Sequence, residues 1–382
     1  MGADGSCNAE VRRRLSGTHL TVFRSPMKSP FSILAFTFML SLFNGTLSAA
    51  GTGTGTATPT VIRVGIIGLD TSHALAFTRT LNEGPKNPED APKVAGVRVV
   101  AAYPRGSRDI ESSTKRVPEY TEKVAALGVE IVDSVEALVS RVDAVLLESN
   151  DGRVHWEQLQ PVLKAGKPVF VDKPIAGSLA DTVRILEAAR LAKVPLFCSS
   201  SLRFTAGTQA VARGSLGKVL RAETHSPATI EPSHPDLFWY GVHGCESLLT
   251  VMGPGCRSVR RSTTSSGEIE VVGTWADGRK GTFRQENGKD RKGYGGFAVG
   301  EKGEAPVGAY EGYDALLFAI VDMFRSGRVP VSEQETLDLY AFMEAADESK
   351  RRGGTEVELS EVLAKARAEV AAASKAPPAK TK

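Results

Sequence analysis

Residues 61–73 read VIRVGIIGLDTSH. The first nine of them are almost continuously apolar, which is typical of a strand buried on both faces of a parallel sheet. Asp70, Thr71 and Ser72 follow, and their short polar side chains can cap a helix that we expect to run to about Asn82. A buried strand that leads directly into a capped helix predicts the first unit of an α/β domain.

Short apolar runs and helical periods alternate from this unit to about residue 200. The later apolar runs are Val97–Ala102, Val129–Val132, Ala144–Leu147, Pro168–Val171 and Pro195–Cys198. Because parallel strands need a crossover between them, this alternation predicts a doubly wound parallel sheet. We therefore expect an N-terminal Rossmann-like domain over residues 61–200.

The pattern changes after residue 200. The strand patterns there are Lys218–Thr224, Glu268–Trp275 and Lys280–Gln285, and the helical patterns run from Asp236 to Met252 and from Tyr313 to Phe324. Strands that follow one another without a crossover helix favour antiparallel pairing. We expect a C-terminal α+β domain over residues 201–373 with a mainly antiparallel open sheet, and a disordered tail at 374–382.

The first 50 residues have the pattern of a signal peptide. Their longest apolar run, Phe31–Phe43, is shorter than the about 20 residues that span a bilayer, but it suits the apolar region of such a peptide. Lys28 supplies the positive charge, directly after a second start codon at Met27, and small residues favour cleavage after Ala50. Residues 51–60 then form a flexible linker. We expect an exported protein, periplasmic or extracellular, without a stable membrane span after cleavage.

Two alternatives stay open for this segment. The apolar run could remain as an uncleaved membrane anchor. Export could follow the general secretory route, or the twin-arginine route, since Arg12, Arg13 and Arg14 lie upstream of the run. The choice of route matters because the twin-arginine route carries folded proteins with their cofactors already bound.

Composition and charge narrow the class of protein. The chain has 382 residues, of which 41% are hydrophobic and 24% charged, as in ordinary globular proteins. The net charge of +3 resides in the signal segment, and the remainder carries equal numbers of basic and acidic side chains. This balance does not favour nucleic acid or an anionic membrane as a partner. Removal of Cys7 with the signal leaves an odd number of cysteines, which argues against a disulfide framework and leaves a single bridge open.

The turn after the first strand can be compared with the G-x-G-x-x-G motif that binds dinucleotides. The glycines of that motif permit a tight turn and close approach of the pyrophosphate. The six matching residues are Gly68, Leu69, Asp70, Thr71, Ser72 and His73, so only the first glycine is present. The charge of Asp70 would repel a pyrophosphate, whereas the helix N-terminus and the hydroxyls of Thr71 and Ser72 could bind one. The turn from Gly68 to His73 is therefore a weak candidate for cofactor binding.

The end of the second predicted strand also gives a mixed signal. An acidic residue normally stands there and binds the adenosine ribose. Here Arg105, Ser107 and Arg108 follow the strand instead, and they would either suit the 2′-phosphate of NADP or be solvated loop residues. Asn150 follows the strand Ala144–Leu147, at the edge where doubly wound sheets bind ligands. It is a candidate for contact with cofactor or substrate.

A longer motif is found at Asp143–Pro174, which reads DAVLLESNDGRVHWEQLQPVLKAGKPVFVDKP. It contains an apolar strand, a helix with His155, the sequence A-G-K, a second strand and Asp172-Lys173-Pro174. This order resembles the central signature of the glucose–fructose oxidoreductase, inositol dehydrogenase and rhizopine-catabolism (Gfo/Idh/MocA) family. Residues 240–246, YGVHGCE, are similar to the D-x-G-x-H-x-x-D helix of that family. The resemblance extends over about Val61 to Ala372.

The resemblance implies an NAD(P)-binding Rossmann domain and a second domain, with a sugar or cyclitol bound between them. In the family the open sheet of the second domain often mediates oligomerisation, so we expect a homo-oligomer. Lys173 would lie beside nicotinamide and substrate, where a partly buried ammonium can orient a hydroxyl or polarise a carbonyl. His243 would be the proton acceptor. Trp239 replaces an acid of the family, so Tyr240, on the same helix face as His243, is the candidate substitute proton donor. His155 would lie near the cofactor groove.

These residues lead to one main hypothesis and two alternatives. The main hypothesis is an NAD(P)-dependent oxidoreductase that transfers hydride to or from a sugar- or cyclitol-like alcohol or ketone. Because an exported enzyme has no supply of free cofactor, the NAD or NADP would be tightly retained. The alternatives are a retained-NAD glycoside hydrolase or lyase and a carbohydrate-binding protein without cofactor, which Asp70 and Trp239 favour. The spacing of His225, His234, His243 and Glu246 matches no compact motif of metal ligands. No metal site is therefore predicted.

Overall fold

The computed structural model describes residues 61–286 and 293–375. The predicted signal peptide and linker lie outside the described residues, as does the tail beyond Lys375. The strands are β1 Ile62–Ile67, β2 Val97–Tyr103, β3 Glu130–Ile131, β4 Ala144–Leu147, β5 Val169–Val171, β6 Leu196–Cys198, β7 Val219–Ser226, β8 Cys256–Thr263, β9 Ile269–Trp275, β10 Lys280–Gln285, β11 Gly295–Gly300, β12 Gly303–Pro306 and β13 Val357–Glu358. The helices are α1 Ser72–Glu83, α2 Ala91–Val94, α3 Glu111–Ala126, α4 Val135–Val139, α5 Gly152–Lys164, α6 Leu179–Ala192, α7 Ala206–Ala212, α8 Val242–Met252, α9 Asp314–Ser326, α10 Glu333–Arg351 and α11 Leu359–Lys375.

The first six strands form one parallel sheet in the order β3-β2-β1-β4-β5-β6. The predicted doubly wound sheet is therefore confirmed. The direction of strand order reverses between β1 and β4, and the carboxyl ends of these two strands flank a crevice. In open α/β sheets this reversal is the place where ligands bind.

The remaining seven strands form a second sheet in the order β12-β11-β7-β10-β9-β8-β13. All neighbouring pairs are antiparallel except β7 and β10, which run parallel. The predicted mainly antiparallel sheet is confirmed. Helix α8 lies on this sheet, and Gly244 of α8 faces Phe283 of β10. A Cβ at Gly244 would lie 2.5 Å from the ring of Phe283, so the sheet itself requires the glycine.

Helix α9 packs on the first sheet although it comes late in the chain. Its buried Leu316, Ile320 and Met323 share an apolar cluster with Val64 of β1 and Phe77 of α1. A second apolar cluster joins side chains of both sheets. The strands of the first sheet precede residue 200 in the chain, and those of the second sheet follow it. The domain boundaries 61–200 and 201–373 stay a prediction.

Helix α8 begins at Val242, so the predicted helix start at Asp236 is wrong. The backbone N–H of Asp236 donates to Asp347 of α10 over 2.9 Å, and its carboxylate bonds Arg261 of β8 over 2.6 Å. These long-range bonds hold residues 236–241 in turns. Tyr240 consequently precedes the helix and does not share a helical face with His243.

Two further findings concern cysteines and membrane spans. Cys198, Cys245 and Cys256 are free thiols, so no disulfide links them. Across residues 61–286 and 293–375, no helix has the length and apolar character needed to cross a bilayer. Helix α11 reaches Lys375, so the first two residues of the predicted disordered tail are helical.

Helix α10 supports the segment that carries the predicted catalytic lysine. Tyr340 of α10 is fully buried, and its hydroxyl accepts a hydrogen bond of 2.8 Å from the backbone N–H of Ile175. Ile175 lies two residues after Lys173. The position of Lys173 therefore depends on a helix more than 150 residues further along the chain.

We expect Tyr340→Phe to lower the free energy of unfolding by about 1–3 kcal/mol, because it leaves the buried N–H of Ile175 without an acceptor. Urea denaturation followed by circular dichroism measures this loss. The matched control is Tyr120→Phe on α3, where the side chain is only half-buried, and we expect a change within about 0.5 kcal/mol. Equal effects of the two substitutions would contradict a supporting role for Tyr340.

Candidate active site

The crevice is built by the turns that follow β1, β4 and β5. These turns contribute residues 68–71, Glu148 to Asp151 and Asp172 with Lys173. Gly68 has a φ of +86°, and a Cβ on it would lie 2.5 Å from the backbone N of Ser149. The glycine therefore lets the first turn pass close to the end of β4.

Asp70 is fully buried and joins three loops at the mouth of the crevice. Its carboxylate accepts hydrogen bonds from the Ser113 hydroxyl over 2.5 Å and from the Asn150 backbone N–H over 2.9 Å. The loop after β2 passes so near that a Cβ on Gly106 would lie 1.9 Å from the Asp70 carboxylate. Burial raises the pKa of Asp70 to about 6, so the group is largely ionised at neutral pH.

His73, Glu148 and Asp172 form a buried cluster beneath the crevice. Nδ1 of His73 lies 3.0 Å from Oδ1 of Asp172 and 3.9 Å from Oε2 of Glu148. Burial, together with the neighbouring Asp172 charge, raises the pKa of Glu148 well above its usual range. Burial also opposes ionisation of Asp172, but its contacts with His73 and with the charge and backbone N–H of Lys173 together lower its pKa. Glu148 was not singled out from the sequence; the available signal is an acid directly after the apolar strand AVLL.

The three predicted catalytic side chains lie along one wall of the crevice. The backbone N–H of Lys173 donates to Oδ1 of Asp172 over 2.8 Å, which fixes the start of its side chain. Nζ of Lys173 lies 5.3 Å from the centre of the Tyr240 ring, within range of a cation–π contact. The Tyr240 and His243 rings are 5.9 Å apart. The structure thus brings Lys173, Tyr240 and His243 together.

His243 is neutral and is held by a hydroxyl. Burial, with the charge of Lys173 as the second cause, keeps the pKa of His243 well below its usual range. Its Nδ1 lies 2.7 Å from Oγ of Ser200. The neutral imidazole therefore keeps an electron pair for a proton, while burial and the Lys173 charge oppose the charged form.

A buried ion pair positions Ser200. Its backbone N–H donates to Oε2 of Glu246 over 2.6 Å, and Nε of Arg203 donates to Oε1 of Glu246 over 2.7 Å. Glu246, which lies on α8 one turn after His243, therefore holds the serine that contacts His243. Neither Ser200 nor Arg203 was predicted from the sequence. Arg203 lies in a short 3₁₀ turn that no sequence motif marks.

Aromatic rings line the crevice from one sheet to the other. Neighbouring ring centres along this aromatic row are 4.3 to 6.3 Å apart, in the order Tyr240, His243, Tyr294, Tyr310, Tyr313 and His73. The Tyr313 hydroxyl also lies 3.0 Å from the Ser72 hydroxyl of the first turn. Rings that carry hydroxyl groups suit a ligand with both apolar faces and hydroxyls.

The other predicted cofactor residues have mixed surroundings. Thr71 caps α1 and donates to Glu148 over 3.4 Å, while Asn150 donates to Ser112 over 3.3 Å. His155 is fully buried, and its two ring nitrogens lie 2.7 and 3.1 Å from the carbonyl oxygens of Ser149 and Ile175. These contacts make His155 a support for the crevice, with no ring nitrogen left for a cofactor.

Arg105 lines a separate cavity of about 750 Å³ beside the crevice. Tyr103 at the end of β2 and Arg108 from the loop after it line the same cavity, as does Arg153 at the start of α5. Arg153 is itself bonded to Asp109 over 2.5 Å and to Asp151 over 2.7 Å. These ion pairs tie the loop after β2 to the loop after β4.

Residues 62–199 match the oxidoreductase family with an NAD-binding Rossmann fold, known as Gfo/Idh/MocA. The matched segment contains the first sheet and its helices, so the N-terminal part of the chain is similar to this family. It is 39% identical over 93 residues to myo-inositol 2-dehydrogenase from Thermotoga maritima, a match that covers 23% of this chain and 28% of that protein. It is 36% identical over 107 residues to 1,5-anhydro-D-fructose reductase from Ensifer adhaerens, covering 26% and 32% of the two chains. The chain thus spans about a third of the length of the curated relatives it matches.

The Gfo/Idh/MocA fold is also found in solved structures. Myo-inositol dehydrogenase from Lactobacillus casei, in complex with NAD(H) and myo-inositol, superposes with a TM-score of 0.61. The superposition covers 78% of this chain and 97% of that chain at 18% identity. At this identity the likeness shows the shared fold alone.

The first turn of this protein does not fit a dinucleotide bound through its pyrophosphate. The second glycine of the binding motif leaves room for the pyrophosphate to approach the backbone. In this chain the carboxylate of Asp70 stands at that position and fills the space between Gly106 and Asn150. A buried negative charge at this place opposes a second negative group.

Asp70 makes the stability of the protein depend on pH. Because its pKa is about 6 when folded and about 4 when unfolded, the folded state keeps a proton that the unfolded state releases between pH 4 and pH 6. Asp70 by itself therefore lowers the free energy of unfolding by roughly 3 kcal/mol across this range and adds no further change above it. We expect Asp70→Asn to lack this part of the pH dependence. Urea denaturation of both proteins from pH 4 to pH 8 tests it, and a pH-independent difference between them would contradict the buried carboxylate.

Proposed function

We propose that the protein is an oxidoreductase for a small polyhydroxylated substrate, of sugar or cyclitol type, whose reacting oxygen binds at Lys173. The observation that carries the proposal is the convergence of Lys173, Tyr240 and His243 on one wall of an aromatic-lined crevice. The match of residues 62–199 to an oxidoreductase family supports it, as do relatives named for inositol and anhydrofructose. The crevice lies at the strand-order reversal, the usual ligand site of this fold.

The side chains have separate tasks in this proposal. The Lys173 ammonium donates a hydrogen bond to the reacting oxygen, which stabilises an alkoxide or polarises a carbonyl. The neutral imidazole of His243 takes up or returns the hydroxyl proton. Ser200 orients that imidazole, and Glu246 with Arg203 fixes Ser200.

The proposed reaction also requires a hydride acceptor. NAD or NADP, tightly retained, is the carrier that the family suggests, but Asp70 stands where the pyrophosphate would approach the first turn. The proposal therefore requires an acceptor that is held by contacts other than those of the first turn. The cavity beside Arg105, at about 750 Å³, has the size of a small-molecule site.

A second candidate function is binding of a carbohydrate without redox chemistry. Asp70 favours it, because a buried carboxylate bonded to Ser113 and Asn150 replaces the cofactor contact. Mass spectrometry of small molecules released by denaturing the purified full chain distinguishes the two functions. Near-stoichiometric NAD(H) or NADP(H) would support the oxidoreductase. Its absence, together with no thermal stabilisation by added NAD⁺ or NADP⁺, would favour binding alone.

The substrate class is tested with Lys173→Met, which removes the charge and keeps the length of the side chain. We expect myo-inositol or D-glucose to raise the unfolding temperature of the unsubstituted protein. In Lys173→Met the apparent affinity should fall by about 10- to 100-fold, because a hydrogen bond to a charged donor is lost. Differential scanning fluorimetry over a series of ligand concentrations measures both.

The matched control for this experiment is Lys164→Met, at an exposed position of α5. We expect it to bind the polyols as the unsubstituted protein does. If neither polyol stabilises the unsubstituted protein, or if Lys173→Met retains full affinity, the proposed site is wrong.

A further inference from the structure

Three side chains of the kind that bind metal ions meet beneath the crevice. His73 comes from the first turn of α1, Glu148 from the end of β4 and Asp172 from the end of β5. One imidazole nitrogen and one oxygen from each carboxylate all lie within 4.8 Å of one another. All three side chains are buried. Acids that are merely solvated at a surface do not show such burial.

Two carboxylate oxygens of this group lack a hydrogen-bond partner among the described residues. They are Oε1 of Glu148 and Oδ2 of Asp172, and both residues are fully buried. Buried carboxylate oxygens are normally satisfied by donors or by cations, since leaving them bare is costly. The cluster therefore has unused ligand atoms in addition to the three that face one another.

The spacing of the three atoms is close to that of a metal site. Ligands about 2.1 Å from an ion and at right angles are about 3 Å apart. Nδ1 of His73 and Oδ1 of Asp172 are already 3.0 Å apart. Oε2 of Glu148 is 3.9 Å from the same nitrogen, about 1 Å more than this spacing. Thr71 adds a hydroxyl 3.4 Å from Oε2 of Glu148.

We propose that His73, Glu148 and Asp172 bind a divalent transition-metal ion. An imidazole with two carboxylates suits Mn²⁺, Fe²⁺ or Zn²⁺, whereas Ca²⁺ and Mg²⁺ prefer oxygen ligands alone. The two carboxylates together balance the charge of a divalent ion. This set is distinct from the histidines around residue 240, which have other partners: His243 contacts Ser200, and His234 lies 3.3 Å from Asp151.

The ion would lie next to the residue that binds the reacting oxygen. Oδ1 of Asp172 accepts the backbone N–H of Lys173, so the proposed ligand and the lysine are directly joined. An ion at this place can polarise a carbonyl or lower the pKa of a hydroxyl on the same substrate. This consequence rests on the proposed function, whereas binding of the ion does not.

The test uses the full chain without a polyhistidine tag. Its metal content is measured by inductively coupled plasma mass spectrometry, before and after EDTA treatment. The stripped protein is then titrated with Mn²⁺ or Zn²⁺ while its unfolding temperature is followed. We expect about one ion per chain, a dissociation constant in the micromolar range or below, and a rise of several degrees on reloading. Co²⁺ in place of the ion should add a visible absorption band.

Glu148→Gln is the informative variant, because the amide keeps the shape of a carboxyl group that is buried. We expect the stripped variant to unfold near the temperature of the stripped unsubstituted protein. Its affinity for Mn²⁺ or Zn²⁺ should be at least about tenfold weaker. The matched control is Asp347→Asn, another buried acid, which is bonded to Arg261 away from the crevice. Its metal affinity should be unchanged.

Two results would overturn the proposal. The first is an unsubstituted protein that takes up no ion and shows no thermal shift with either metal at millimolar concentration. The second is uptake that persists at full affinity in both Glu148→Gln and Asp172→Asn, which would place the ion elsewhere. The polyol experiment is scored separately. Polyol binding that needs Lys173 but no ion would overturn only the metal site, and ion binding without any polyol effect would overturn only the proposed substrate class.

Discussion

The hydrogen bonds of Asp172 are the contacts on which the crevice depends. One buried carboxylate oxygen accepts the backbone N–H of Lys173 and lies 3.0 Å from Nδ1 of His73. It thereby fixes the start of the lysine side chain and ties the first turn of α1 to the end of β5. Tyr340 and His155 hold the same segment from the other side through Ile175. Because Asp172 is fully buried, these bonds are formed away from competing water.

The sequence predicts the strands and helices of the first sheet well, because they follow from local patterns of apolar and polar residues. Continuous apolar runs that alternate with helical periods are enough to indicate a parallel sheet, and the D-K-P segment indicates where its lysine lies. The contents of the crevice are harder to predict. His73, Glu148 and Asp172 belong to three separate turns, and only the folded sheet brings their side chains together. The start of α8 was predicted wrongly for a similar reason, since bonds from Asp236 to Asp347 and Arg261 outweigh the local helical pattern.

The sequence predicts the effect of Asp70 on a pyrophosphate, but it does not predict the contacts of the Asp70 carboxylate. Its charge argues against a pyrophosphate at the first turn, and this much is visible in the sequence. The structure adds that the carboxylate has its own donors, Ser113 and Asn150, and a neighbouring loop that approaches at Gly106. A missing glycine alone would leave an empty place at the turn. Here the place is filled and bonded, which makes it part of the architecture of the crevice.

The close contact between Asp70 and Gly106 also limits how this crevice can change over evolutionary time. A side chain on Gly106 would collide with the carboxylate, so this position can vary only after Asp70 has changed. Loss of Asp70 alone would in turn leave the Asn150 N–H without its acceptor. The two positions are therefore linked by epistasis. A lineage that carries this pair cannot gain a glycine at position 70 by one substitution without a loss of stability, so single mutations do not easily change this part of the crevice.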